Sequence, residues 1–102
     1  MSIRRSIYLY RYYRCIDINK KTIHFAGGAE NEIVLNFNQI KNIELKATLG
    51  RSISDCKTLI NIIDIESNTF ELYEDTYERY DSVKEIANRV GEIIKVEIID
   101  NT

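Results

Sequence analysis

His24 is the only histidine in this chain of 102 residues, and Cys15 and Cys56 are its two cysteines. A thiol beside an imidazole suits nucleophilic catalysis, because the ring can take the thiol proton. Nothing in the spacing of these three residues places such a pair. The expectation is a structural or surface histidine on a short strand and two small buried thiols. The cysteines stand outside any CxxC or Cys/His cluster, so no metal site and no cofactor is predicted. Gly27-Gly28 lacks the GxxxxGK[ST] pattern of a phosphate loop and reads as a turn. Asp64 and Glu66 share strand parity, as paired carboxylates would, but Glu66 falls at a turn, where a solvated acid is the default. No acid–base constellation can be placed, and the protein is read as not an enzyme.

Charge is the stronger signal. Up to Lys21 the chain carries Arg4, Arg5, Arg11, Arg14, Lys20 and Lys21 against Asp17 alone. From Asp64 to Asp81 it carries Asp64, Glu66, Glu71, Glu74, Asp75, Glu78 and Asp81 against Arg79 alone. The basic stretch is interleaved with tyrosine, and Tyr and Arg are enriched at binding hot spots. The candidate interaction surface is therefore Arg4, Arg5, Tyr8, Tyr10, Arg11 and Tyr12 together with Glu71, Glu74, Asp75 and Glu78. Tyr8, Tyr10 and Tyr12 share one parity and would project from one side of an extended chain. Pairing of this segment with the acids of a second copy would give a symmetric homodimer. The alternative is that the two stretches face each other within one fold. The same Arg/Tyr segment could also stack on and neutralise single-stranded nucleic acid or another anionic surface. A net charge of -2 argues against general nucleic-acid binding.

The length fits a single domain over 1–102. Hydrophobic content of 44% and charged content of 29% are ordinary for a soluble globular protein. Ile, Asn, Lys and Tyr are heavily used, a bias that an AT-rich bacterial genome would produce. Met1–Arg5 is basic, but charges break Tyr8–Arg14 where a signal peptide needs an apolar run. No apolar run approaches the roughly 18 residues of a membrane span, so none is predicted, while peripheral membrane contact stays open. Two cysteines far apart in sequence and outside any cluster fit a cytoplasmic compartment.

The elements that would position these residues follow from periodicity. Ile7–Ile18 is dominated by β-formers and reads as one long strand with a bend or bulge. Asn19-Lys20-Lys21 is a turn. Short strands follow at Thr22–Phe25 and Glu32–Phe37, then a longer one at Ile40–Leu49. Lys57–Glu66 is dense enough in Leu and Ile for a central strand covered on both faces. Ser67-Asn68 signals a hairpin, and Thr69–Glu74 alternates in the half-buried pattern. The strands extend over about 7–74. A helix is predicted over about 80–95, with Val83, Ile86, Ala87, Val90 and Ile94 on one apolar stripe. Ser82 and Glu85 fit a capping box, with Asp81 as the competing cap. Gly91 either lets the helix approach the sheet closely or stops it. Residues 96–102 are expected as an extended tail under the sheet, or as one more strand if the helix ends early.

This order predicts an α+β fold: a curved antiparallel sheet, or partly open barrel, of six to seven strands with a C-terminal helix packed on it. It resembles the pleckstrin-homology-like (PH-like) domains of bacteria. The segments that carry the likeness are IDINKKTIHF, LNFNQIKNIEL, LINIIDIESNTFELY and IANRVGEIIKVEIID, spanning about Tyr13 to Asp100. The resemblance implies a PH-like barrel and a non-catalytic role in binding lipids, proteins or peptides. The Asn19–Lys21 turn offers only two lysines, so phosphoinositide binding does not carry over. The function expected is a binding or adaptor module for another protein. The alternatives are a toxin-immunity or similar neutralising protein, or the nucleic-acid binder described above.

Overall fold

The computed structural model describes residues 6–9, 14–26, 32–52 and 55–102. Within them the chain is α+β, with two four-stranded sheets and one helix. The first sheet runs β1 (Ser6–Leu9), β2 (Arg14–Asp17), β3 (Thr22–Phe25) and β4 (Ile33–Asn36), all antiparallel neighbours. The second holds β5 (Ile40–Thr48), β6 (Lys57–Asp64) and β7 (Thr69–Thr76), then α1 (Tyr80–Ile94) and β8 (Glu97–Asn101) follow. Its order is β7-β6-β5-β8, with β8 parallel to β5. The described strands do not close the two sheets into a barrel.

Alternation decides what lies inside. Ile16, Ile23 and Leu35 occupy paired register positions across β2, β3 and β4, and all three are buried. Ile43 faces Ile62 and Leu45 faces Ile60 across β5 and β6, all with no exposed surface. Val83, Ala87, Val90 and Ile94 bring the helix stripe onto these residues, and both sheets and α1 share one core. The Phe25 and Phe70 rings, 5.5 Å apart, tie the first sheet to β7.

Several expectations change. The long strand Ile7–Ile18 is a hairpin: Ile7 pairs with Ile16, and Leu9 with Arg14. Tyr8 lies in β1, antiparallel to β2, while Tyr10 and Tyr12 lie outside the described residues. The helix starts at Tyr80, led in by a 3-10 turn at Tyr77–Arg79, with no side-chain cap. Ser82 therefore lies inside the first turn rather than at its boundary. Ile86 is half-buried rather than buried, because it lies at the margin of the stripe. Gly91 does not stop the helix. A Cβ there would stand 2.9 Å from Ile98 Cδ1, so the glycine lets β8 lie close against α1. The helix ends at Lys95, whose φ of 66° is left-handed, and the Lys95 and Val96 N–H groups donate to the Gly91 carbonyl. The tail then pairs with β5 as an edge strand instead of passing under the sheet.

On β6 the inward face is covered at Thr58, Ile60 and Ile62. On the other face Asn61 is buried, while Leu59 and Ile63 are half-buried. Polar neighbours make that cover: Asn61 Nδ2 and Asn101 Nδ2 donate to the two Glu44 carboxylate oxygens at 3.1 and 2.8 Å.

Candidate binding cleft

Three turns meet at one end of the molecule. The 3-10 turn Phe37–Gln39 joins β4 to β5. Its Phe37 N–H donates to the Lys21 carbonyl of the β2–β3 turn (2.9 Å). Its Gln39 carbonyl accepts from the Ile65 N–H of the β6–β7 turn (2.9 Å). Asn36 and Gln39 cap the 3-10 turn reciprocally. The C-terminal end of α1 closes the remaining side.

Between these pieces lies a cleft of about 580 Å³, walled by Ile18, Phe37, Ile40, Ile93, Ile94 and Val96. Ile40 and Ile94 are buried in the core, and the other four are half-buried, so the walls are apolar and reachable. Asn38, Lys21 and Lys95 supply the polar lining. Both lysines are exposed, and both sit in left-handed backbone, with φ of 55° and 66°. Among the described residues neither ammonium has a carboxylate within ion-pair distance. Apolar walls with a few polar groups, at a volume of roughly 300–1,000 Å³, are what small-molecule sites generally have. A second recess, of about 430 Å³, lies along α1 among Ser82, Glu85, Ile86, Arg89 and Glu92, and charged and polar side chains dominate it.

The charged stretches behave differently. Of the candidate interaction surface, Arg4, Arg5, Tyr10, Arg11 and Tyr12 lie outside the described residues, as does the Gly27-Gly28 turn. Tyr8 is in β1. Arg14 donates from Nε to the Glu71 carbonyl and from Nη1 to the Ala26 carbonyl, and its guanidinium lies 5.1 Å from the Phe25 ring centre. Glu74 is buried, with its carboxylate 3.5 Å from Lys57 Nζ. Burial, then the Glu74 carboxylate beside it, pushes the Glu71 carboxyl above the ordinary value, against the pull of Arg14 and Lys57. Asp75 accepts from the Tyr73 hydroxyl and the Thr76 N–H. Glu78 is exposed in the 3-10 turn before α1. Basic and acidic stretches thus meet within one chain at Arg14 and β7.

The outer face of the first sheet carries a grouping that the spacing did not reveal. His24 Nδ1 lies 2.8 Å from Glu32 Oε1, and His24 Nε2 lies 3.2 Å from Thr22 Oγ1. Cys15 is the register partner of His24. With neutral imidazole, Nδ1–H donates to Glu32 and Nε2 accepts from the Thr22 hydroxyl. These bonds tie the start of β4 to β3. The thiols of Cys15 and Cys56 are free and half-buried, more accessible than expected, and Cys56 Sγ donates to the Ser52 carbonyl. Asp64 is a turn-builder rather than half of a carboxylate pair. Its carboxylate accepts from the N–H groups of Glu66 and Asn68 and from Asn68 Nδ2. Burial raises its pKa, but the Asn68 side chain and those two N–H groups outweigh it and hold the carboxyl below the ordinary value. Among the described residues no three His, Cys, Asp or Glu side chains gather as a metal cluster, and no helix is long and apolar enough to cross a membrane.

Compared with known proteins, the chain matches no family model, no curated protein and no solved structure.

Proposed function

We propose that the protein is a non-catalytic binding module of PH-like architecture, and that its ligand enters the cleft at the C-terminal end of α1. The observation that carries this reading is the cleft itself, in which accessible apolar walls are bordered by two ammonium groups without a carboxylate partner among the described residues. The order of a four-stranded antiparallel sheet, a three-stranded antiparallel meander and a helix supports the PH-like part. The acids of β7 favour the cleft over the charged stretches as the ligand site. Glu74 pairs with Lys57 and Asp75 with Tyr73, so a partner would have to displace contacts already made.

The test is a titration with 1-anilinonaphthalene-8-sulfonate, whose fluorescence rises in apolar sites. The expected outcome is saturable binding to the native protein that is lost when Val96→Glu places a carboxylate in the cleft wall. Val96 is half-buried, so the variant is expected to keep its fold, which circular dichroism checks. Binding that survives Val96→Glu in a folded protein would contradict the assignment of the cleft.

A further inference from the structure

We infer that the ligand of this cleft is a free single-chain amphiphile with an anionic head, of the kind a medium-chain carboxylic acid presents. The inference rests on the cleft being the binding site and concerns what fills it. Two observations carry it.

The first is what the walls do not offer. Ile18, Phe37, Ile40, Ile93, Ile94 and Val96 present side chains without hydrogen-bonding groups, and Asn38 is the one neutral polar side chain in the lining. A peptide entering such walls would leave its own N–H and C=O groups unpaired away from water, which is costly. An alkyl chain has no such groups and gains only from burial.

The second is charge at the rim. Lys21 comes from the β2–β3 turn and Lys95 from the end of α1, and both line the same cleft. With no carboxylate of the described chain to pair with, they are complementary to an anionic head held at the mouth while the chain lies inside. Their left-handed conformations are ones that glycine or asparagine would adopt with less strain. Both lysines thus hold a costly backbone conformation while bordering one apolar cleft.

Calorimetric titration with dodecanoate and with dodecan-1-ol separates chain from head. The native protein is expected to bind dodecanoate about tenfold more tightly than the alcohol at low salt, the effect of two partly exposed ion pairs. Salt should narrow that ratio. Lys21→Gln/Lys95→Gln, both at exposed positions, should remove it, bringing the acid to the affinity of the alcohol measured on the same variant. Equal binding of acid and alcohol, or an unchanged ratio in the double variant, overturns the anionic head and leaves the cleft standing. Binding of neither compound, with the anilinonaphthalene probe still held, overturns the amphiphile alone. Loss of the probe as well overturns the cleft. Association with phosphatidylglycerol vesicles in place of the free acid would overturn the single-chain source.

Discussion

The β6–β7 turn and the β2–β3 turn are anchored to the same 3-10 segment, yet they use charge in opposite ways. In the first, Ser67 is left-handed with φ of 68°, and the Asp64 carboxylate beneath it takes up three N–H donors. That charge is consumed in building the turn. In the second, Asp17 accepts the Lys20 N–H and steadies the turn, but the left-handed residue is Lys21, whose ammonium is left at the edge of an apolar cleft. The difference separates charge that shapes the fold from charge that remains for something else to meet. Ile40 stands between the two, pairing with Asp64 in the sheet and lining the cleft with Lys21.

Ile40→Ala should have the largest effect on this comparison. Ile40 is buried in the core, so the loss is expected at about 2–4 kcal/mol by denaturant unfolding, from transfer energy and a cavity. The enlarged cleft should still bind the anilinonaphthalene probe if the variant folds.

Next comes the pH dependence of the closed turn. The Asp64 carboxyl is lowered in the folded protein, so its contribution is complete above the ordinary carboxylate value and is lost as pH falls through the lowered one. Asp64→Asn should destabilise the protein at neutral pH and flatten that part of the acid limb. Glu71, whose carboxyl is raised, has the opposite sign: its cost at neutral pH is relieved as pH falls through the raised value. Glu71→Gln should therefore stabilise at neutral pH and leave less to gain on mild acidification. Denaturant melts from neutral to acid pH on the two variants check both signs.

The helix offers a smaller contrast. Val90 is almost fully buried and Ile86 half-buried, so Ile86→Ala should cost no more than about 1.5 kcal/mol, near the low end for a core aliphatic. The smallest effect should come from the open turn. Lys95→Gly relieves a left-handed residue at the helix end and should raise stability by about 0.5 kcal/mol. The same change should weaken dodecanoate binding, so that stability and affinity move in opposite directions.

What could be read from the sequence depended on whether the signal was local. The β6–β7 hairpin was legible because Ser67-Asn68 separates two runs of the right period, and α1 because Val83, Ala87, Val90 and Ile94 repeat at helical spacing. The β1–β2 hairpin was not. No Gly, Pro, Asn or Asp stands between Leu9 and Arg14 to mark the reversal, and β-formers fill the interval. Ser82 and Glu85 satisfied a capping pattern that the lead-in turn Tyr77–Arg79 moved inside the helix. The cleft was illegible for a different reason. Lys21, Phe37 and Lys95 belong to three connections distant in sequence, and only the packing of the two sheets and α1 brings them together. The bond from His24 to Glu32 depends in the same way on the pairing of β3 with β4.

Amide chemical-shift mapping of isotope-labelled protein during titration with dodecanoate tests the central claim most directly. Shifts should concentrate at Ile18, Lys21, Phe37, Ile40 and Lys95–Val96, with little change on β7 or on the outer face of the first sheet. Shifts centred instead on Thr22, His24 and Glu32, or along Glu71–Asp75, would contradict the account.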